Sequence, residues 1–512
     1  MSSPSNIIPL ETRLRGGATA DRHPQVNRGL AAPDFKRIAV GGFGDGGNSY
    51  AHCMAWFQNK IYVGTVRHLL SLLKSSQPKM PHFMTPWPVK YPGDIFTLDL
   101  RADIWCYDPI TENWTRVHRS PIVTGPKGHE VPRDIGYRGM AVFKGKSDSA
   151  PALYVNSISS DSRGPGAHVL RSSDGITFEA TSSPGLGDDS VSTFRSMVAF
   201  KDFLFISPTG KRQAWNIAGT PAVLASRDPA NGVWEQASEP GFGDPNNSVV
   251  FDMAVFNDHL YAGTFNARQG FQVWKTRAEG RRLPFEWKKV VTHGAYRGVY
   301  NQAATSMCAF RDGLYVGGGI QNGGFDRTNR IGPAAAEVIR INPDDTWDIV
   351  CGTPRATPDG DKFPLSGRGP GFDNFFSGYM WRMAEHDGWL YMGTFDWSVF
   401  LLYANPPTML PWVKHHVQRF GLRDIVSNEG GFDLWRTRDG ANWCNVSRTG
   451  LGNAYNYGAR TMVSTPYGLF LGTANPFGPD IAAETARGWT YIPNPLGGAE
   501  VWLGRSELTG SL

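Results

Sequence analysis

The segment "MAVFNDHLYAGT", residues Met253 to Thr264, recurs along the chain and indicates the kind of fold that the sequence forms. Each copy has a methionine, a short segment often ending in Phe, a tight turn, and then Leu or Ile followed by an aromatic residue. The seven copies begin at Met54, Met140, Met197, Met253, Met307, Met383 and Met462. In six of them the methionine and the later aromatic residue lie eight positions apart. Such segments predict a β-hairpin, and a hairpin in constant register indicates a repeat fold.

A second pair of short strand-like segments follows each hairpin, as in "FDLWRTRDGANWCNVS" from Phe432 to Ser447. Each unit is therefore predicted to be a four-stranded antiparallel meander, with strands a to d. Seven such units predict an all-β, seven-bladed β-propeller. The last unit ends in "GAEVWLGRS" without a fourth strand, and we expect "DFKRIAV", Asp34 to Val40, to supply it and close the ring. Residues 34–512 then form the propeller, and residues 1–33 form an arm whose order the sequence leaves open.

The composition is typical of a turn-rich β protein. The chain of 512 residues contains 60 glycines and 36 prolines, and 19% of its residues are charged. A formal net charge of +5 is dilute over this length, and no basic stripe or long apolar run occurs, so neither a nucleic-acid nor a membrane partner is expected. Five cysteines without CxxC spacing predict neither a disulfide framework nor a zinc site. Without a leader-like apolar segment near the start, we expect a cytoplasmic protein.

Long insertions are predicted on one face of the propeller. In an antiparallel meander the b to c and d to a connections lie at the same end, and the long segments all belong to these two classes. The insertions are 67–102, 320–335, 395–431 and 474–498 between strands b and c, and 352–378 between strands d and a. We expect them to form a hood over one sector, with short helices in "VRHLLSLLKS" and "PWVKHHVQRFG". Its aromatic residues, Trp397 among them, either pack a small satellite core or line a ligand pocket.

Polar residues mark the loop-side start of the innermost strands. The positions two residues before the repeat methionine are His52, Arg138, Arg195, Phe251, Thr305, Trp381 and Arg460, and Arg382 lies one position later than Trp381. Arginine suits bidentate recognition of carboxylate or phosphate, so an anion site is one hypothesis. Carboxylates occur near the same end, at Asp103, Glu337, Asp433 and Glu500. Arginine–carboxylate pairs that hold neighbouring blades together are the other hypothesis.

The candidate site follows from these positions. We predict ligand-binding roles for Arg138, Arg195, Arg382, Arg460 and Trp397. Candidate general acids or bases near the same rim are His52, Tyr137, Tyr296 and Tyr455. The sequence predicts no metal site, and it identifies neither a cofactor nor a reaction type.

The glycine-rich stretch "VGGFGDGGNSY", Val40 to Tyr50, has the look of a phosphate loop, but related stretches recur at Gly185, Gly241, Gly371 and Gly450. A phosphate loop should occur once and should open a helix. A recurrent turn at each blade crossing is therefore the better interpretation.

The segment "DIWCYDPITENWTRV", Asp103 to Val117, resembles the third and fourth strands of a kelch repeat, although most units here carry Gly-Thr where kelch repeats carry a glycine pair. More distantly, the unit with its "GFGD" loops is similar to the propeller part of cyanobacterial enzymes that join alkyl chlorides to aromatic or carboxylate nucleophiles. Both resemblances imply a propeller. We expect a small organic ligand with an anionic or phenolic group to bind at the loop-rich channel mouth, and the sequence leaves open whether the protein also transforms it. The alternative is a kelch-like protein-interaction scaffold without catalysis.

Overall fold

A computed structural model describes residues 28–76, 84–160, 163–188, 190–210, 220–280, 282–326, 328–405, 409 and 411–506. The predicted N-terminal arm, 1–33, lies outside these residues except for its last six.

The strands of the first half of the chain are β1 (Phe35–Ala39), β2 (Asn48–Phe57), β3 (Lys60–Arg67), β4 (Asp103–Asp108), β5 (Asn113–Arg119), β6 (Ile122–Thr124), β7 (Glu130–Pro132), β8 (Gly136–Phe143), β9 (Ala152–Ile158), β10 (Val169–Ser172), β11 (Glu179–Ala180), β12 (Val191–Phe200), β13 (Phe203–Gly210), β14 (Leu224–Asp228), β15 (Val233–Gln236), β16 (Val249–Phe256) and β17 (His259–Phe265). Those of the second half are β18 (Val273–Thr276), β19 (Lys288–Val291), β20 (Ala303–Phe310), β21 (Gly313–Gly319), β22 (Val338–Ile341), β23 (Trp347–Cys351), β24 (Arg355–Thr357), β25 (Gly360–Lys362), β26 (Ser377–His386), β27 (Trp389–Asp396), β28 (Leu434–Thr437), β29 (Trp443–Ser447), β30 (Gly458–Thr465), β31 (Gly468–Ala474), β32 (Asp480–Thr485), β33 (Gly488–Pro493) and β34 (Val501–Gly504). The helices are α1 (Leu69–Ser76), α2 (Pro411–Phe420) and α3 (Leu422–Glu429), with short 3-10 turns such as Ser398–Tyr403. The helices α1 and α2 confirm the two predicted from the sequence of the insertions.

The main strands pair into antiparallel meanders, which we number in chain order. Meanders 1 to 6 are β2–β5, β8–β11, β12–β15, β16–β19, β20–β23 and β26–β29, and meander 7 consists of β30, β31, β34 and β1. In meander 7, β1 pairs antiparallel with β34, Phe35 opposite Gly504. The first strands β2, β8, β12, β16, β20, β26 and β30 contact one another in this order, and β30 also contacts β2. This arrangement is that of a β-propeller.

Tight turns explain the constant spacing of the repeat. In meander 1 the residues Gln58 and Asn59 join β2 to β3 with φ angles of 49° and 58°. In meander 4 Asn257 and Asp258 do the same with φ angles of 47° and 56°. Two-residue turns with positive φ match the twist of paired strands, and Asn and Asp tolerate this conformation. The turn therefore fixes the register between the methionine and the aromatic residue.

The glycine-rich stretch is a structural turn. Gly42 and Phe43 have left-handed φ angles of 63° and 61°. The amide of Gly42 donates to the carbonyl of Ala499 at 2.9 Å, and its carbonyl accepts from the Asn48 side chain at 2.9 Å. The ring of Phe43 stacks on Trp105 with centroids 5.0 Å apart. The same hydrogen bond recurs from Asn247 to Gly241, from Asn301 to Gly294 and from Asn456 to Gly450. Because these groups already bond within the protein, the loop does not serve as a phosphate cradle.

Candidate functional site

A β-bulge lies near the start of every first strand. In β2 the pairing with β3 passes from Ala51 to Cys53 and skips His52. In the other first strands the skipped positions include Arg138, Arg195, Phe251, Thr305, Trp381 and Arg460. A bulge frees a residue from the ladder and re-aims its side chain. The positions that sequence spacing singled out are thus the bulge positions.

Three of these side chains, together with Arg382 directly after the bulge at Trp381, form a group that we call the arginine cluster: Arg138, Arg195, Arg382 and Arg460. Burial and the charge of Arg460 lower the pKa of Arg138 to about 9. Burial and the charge of Arg382 lower the pKa of Arg460 to about 10. Burial, then Arg138 and Arg460, hold the pKa of Arg195 well below its usual range. The four arginines stand at or next to equivalent bulges on first strands that contact one another in a ring, and their charges act on one another, so the guanidiniums lie near one another.

Aromatic rings hold two of these guanidiniums. The Cζ atom of Arg195 lies 3.5 Å above the ring centroid of Phe251. That of Arg460 lies 5.4 Å above the ring of Trp381. An aromatic face attracts the cation while leaving the N–H groups at its edge available to an acceptor. Among the described residues, no carboxylate lies within 4 Å of Arg460.

Asp252 is the carboxylate nearest to the cluster in the described part of the chain. Its Oδ2 lies 3.8 Å from Nη1 of Arg382. It also accepts hydrogen bonds from the Ser196 hydroxyl at 3.2 Å and the Met307 amide at 3.0 Å. Burial raises the pKa of Asp252, and the charge of Arg382 opposes this effect. Sequence reasoning missed Asp252, although it and Arg382 both stand one residue before a repeat methionine.

His52 lies among the arginines as a neutral imidazole. It is buried, and burial together with the charges of Arg460 and Arg138 holds its pKa well below the usual value. Its Nδ1 atom is buried and has no hydrogen-bond partner among the described residues. The edge of its ring faces Tyr50 at 5.6 Å between centroids. A neutral imidazole in this position can exchange a hydrogen bond, or a proton, with a bound molecule.

Two tyrosines, which the sequence did not identify, complete the surroundings of the cluster. The hydroxyls of Tyr50 and Tyr457 hydrogen-bond to each other across the contact between meanders 1 and 7. Burial raises the pKa of both phenols, so they stay protonated. Two hydroxyls contribute two hydrogens, and their mutual bond uses one. Since neither hydroxyl has another partner among the described residues, the second hydrogen can be donated to a bound molecule.

The insertions form an apolar core beside this group, and Trp397 belongs to it. Trp397 is 7% exposed, and its ring lies 4.8 Å from Phe376 and 5.5 Å from Phe375, centroid to centroid. Residues of α1, α3 and the Ser398–Tyr403 turn pack into the same core. Tyr455 packs at its border, 5.3 Å from Phe477. Both residues therefore sit in the hood rather than in the arginine cluster.

Two further acid or base candidates lie away from the cluster. Tyr137 is fully buried, and its hydroxyl lies 3.4 Å from Asp134, whose carboxylate also contacts His168 Nε2 at 3.0 Å. Tyr296 is 37% exposed and stacks on Trp347 at 6.4 Å. The structure thus gathers His52 with the four arginines, but not Tyr137, Tyr296 or Tyr455.

The four carboxylates that were expected near the arginines pair with other guanidiniums. These ion pairs are Arg67–Asp103 at 4.0 Å, Arg297–Glu337 at 3.1 Å, Arg448–Asp433 at 3.7 Å and Arg37–Glu500 at 3.2 Å. The arginines that form these ion pairs are therefore different from those of the arginine cluster. The carboxylates do not neutralise the arginine cluster.

Other features of the described residues are few. No group of three or more His, Cys, Asp or Glu side chains within them is arranged to hold a metal ion. Within the same residues, no helix is both long and apolar enough to cross a membrane. A cavity of about 260 Å³ lies apart from the cluster, beside His68, Lys90, Leu98 and Asp480.

Comparison with known proteins identifies no relatives by sequence: no family model and no curated protein matches the chain. Among solved structures it is similar to a puromycin hydrolase, with 10% identity and a TM-score of 0.43, over 90% of this chain and 55% of the other. It is also similar to prolyl endopeptidases, with 10% identity and a TM-score of 0.36, over 86% of this chain and 45% of the other. It is also similar to a chain of a nidogen–laminin complex, with 10% identity and a TM-score of 0.31, over 58% of this chain and 87% of the other. The chain thus spans about half the length of the first two structures. Likenesses at this level say nothing about function.

Proposed function

We propose that this protein is a seven-bladed β-propeller, closed by β1 against β34, that binds a small organic ligand through an anionic group at the loop-rich mouth of a central channel. The contact between β30 and β2 supports the closed ring. The pairing of β1 with β34 supports the role of the N-terminal strand.

The observation that carries the proposed function is the imbalance of charge in the arginine cluster. Four guanidiniums converge, whereas Asp252 is the carboxylate whose charge reaches them in the described residues. Like charges held together in a buried place repel one another unless an anion separates them. A carboxylate, phosphate or phenolate group on the ligand would provide that anion.

If the ligand is also transformed, His52 is the acid–base group that we propose. It lies within the cluster, its imidazole is neutral, and its Nδ1 has no partner among the described residues. Tyr137, Tyr296 and Tyr455 lack this proximity. A kelch-like relationship, a relationship to the alkylating enzymes and a cytoplasmic location are likewise proposals.

The test is whether the purified protein carries a bound ligand and whether the arginine cluster holds it. We expect native mass spectrometry of the purified protein to show a bound small anion that is lost on substituting Arg138→Gln or Arg460→Gln. Arg277→Gln, at an exposed position, is the matched control and should retain the ligand. If both cluster variants fold and keep the ligand, the site assignment is wrong.

A protein-interaction scaffold is the second candidate, favoured by the hairpin β32–β33. Along β33 every residue is exposed, including Trp489 at 44%, Tyr491 at 39% and Ile492 at 43%. Exposed apolar residues gathered on one element are typical of protein-binding surfaces. The double variant Trp489→Ser, Ile492→Ser should abolish capture of a partner while leaving anion binding unchanged. Loss of a partner with Arg138→Gln instead would place that surface at the channel mouth.

A further inference from the structure

We infer that the ligand of the arginine cluster carries a compact tetrahedral oxyanion with two negative charges, of the kind found in a phosphate monoester. This inference rests on the proposed function and narrows it. It follows from the charge of the cluster, the directions from which the arginines approach, and the buried polar groups there that lack hydrogen-bond partners.

The charge of the site is best matched by a dianion. Among the described residues, Arg138, Arg195, Arg382 and Arg460 contribute four positive charges and Asp252 contributes one negative charge, so the balance of these residues is three positive charges. A bound monoanion would leave two of these charges uncompensated. A dianion would leave one, which is the smaller cost in a buried environment.

The arginines approach from different meanders. Arg138 lies on β8, Arg195 on β12, Arg382 on β26 and Arg460 on β30. These strands belong to meanders 2, 3, 6 and 7, so the guanidiniums reach the cluster from several sides. A carboxylate presents its lone pairs within one plane, whereas a phosphate group presents three acceptor oxygens in three directions. The convergent arrangement therefore fits a tetrahedral group better than a planar one.

Polar groups without partners lie beside the charges. The Tyr50–Tyr457 pair retains one hydroxyl hydrogen without an acceptor among the described residues. The Nε–H of Arg460 is buried without a hydrogen-bond partner there, and so is Nδ1 of His52, which donates in the tautomer that carries the hydrogen on this atom. A buried donor that lacks a partner is costly, and an oxyanion with several lone pairs satisfies more than one of them.

Titration calorimetry of the full-length protein with simple probes tests the inference. The probes are inorganic phosphate, phenyl phosphate, malonate and benzoate, each at constant ionic strength and pH 8. We expect both phosphates to bind at least tenfold more tightly than benzoate, and more tightly than malonate. Inorganic phosphate should bind several-fold more weakly at pH 5, where it is mainly a monoanion, because its second pKa is near neutrality.

Variants and alternative outcomes complete the test. Arg138→Gln and Arg460→Gln should each weaken phosphate binding at least tenfold, whereas Arg277→Gln should not. Arg138→Lys keeps the charge and provides a second variant if Arg138→Gln fails to fold. Equal binding of benzoate and phosphate would overturn the dianion but leave the anion site intact. Tighter binding of malonate would overturn the tetrahedral group, and failure of every probe to bind would overturn the proposed function as well.

Discussion

Met54, on the first strand of meander 1, packs against Gly472, on the second strand of meander 7. A Cβ added to Gly472 would lie 3.3 Å from Cε of Met54 and 2.6 Å from Cβ of Ala51. The same relationship joins Met140 to Gly64, Met307 to Gly263, and Met462 to Gly393. The methionine and the glycine of the repeat are therefore partners across neighbouring meanders, and the glycine leaves the space that the methionine fills.

Gly472→Ala should destabilise the protein because the added methyl group has no room against Ala51. Overpacking of this kind costs roughly 1–3 kcal/mol. Denaturant unfolding measures the free energy, and Gly263→Ala, in the middle of the chain, is the matched control. If Gly263→Ala destabilises and Gly472→Ala does not, meanders 7 and 1 do not pack together in solution.

Arg138→Gln should stabilise the ligand-free protein. Burial and the charge of Arg460 lower the pKa of Arg138 to about 9, so the folded state binds this proton less tightly than the unfolded state does. The folded state is therefore penalised at every pH below about 9, and the penalty disappears as the pH rises toward the ordinary arginine value. Removing the charge should add roughly 0.5–2 kcal/mol at pH 7.5. Phosphate should then raise the melting temperature of the natural protein and not that of the variant. A variant that is less stable than the natural protein would contradict the destabilising effect of the Arg138 charge in the folded state.

Asp396→Asn should stabilise the protein at alkaline pH. The carboxylates of Asp396 and Asp433 are buried and both accept from the Asn374 amide, at 3.2 Å and 3.3 Å. Burial raises the pKa of Asp396 strongly and that of Asp433 to about 6. The folded state therefore binds these protons more tightly than the unfolded state, and stability falls as the pH rises from about 4 through 6 and beyond.

An asparagine already occupies the position of Asp396 in two other meanders. Asn266 and Asn475 stand the same thirteen residues after the repeat methionine and donate to Asn247 and Asn456 at 3.0 Å and 3.1 Å. Asp396→Asn should gain roughly 1–3 kcal/mol at pH 8 and little at pH 5. The converse control, Asn266→Asp, should lose stability at pH 8. If Asp396→Asn and the natural protein have equal unfolding curves at both pH values, the pKa of Asp396 is not raised in the folded state.

Trp397→Ala should destabilise the apolar core of the insertions without weakening anion binding. The ring packs between Phe375 and Phe376 and lies outside the arginine cluster. Loss of a buried tryptophan costs roughly 3–5 kcal/mol. Trp397→Phe should retain most of the stability, and phosphate affinity should change less than threefold in both variants. A large loss of affinity in a stably folded Trp397→Phe protein would return Trp397 to the ligand site.

The sequence predicted the propeller and singled out the positions that are bulges in the structure because both depend on local spacing, although it did not predict the bulges themselves. The two-residue turn keeps the methionine and the aromatic residue eight positions apart, and the bulge lies at a fixed distance from that methionine. The Tyr50–Tyr457 contact could not be predicted in this way, because it joins residues that are 407 positions apart. Tyr137 was expected near the arginines because it is next to Arg138 in sequence. Successive side chains of a strand point to opposite faces, however, and the hydroxyl of Tyr137 lies beside Asp134 instead.

Because of the bulge at the start of each first strand, adjacent positions in the sequence meet different structural requirements. Neighbouring positions must keep the residues that pair and pack the meanders, such as Met54 and Gly472. The residue skipped by the ladder does not pair with the neighbouring strand, and it is histidine, phenylalanine, threonine or tryptophan in one meander each and arginine in three. The strand pairing therefore tolerates side chains of very different chemistry at this one position, whereas the methionine and the glycine beside it are set by packing.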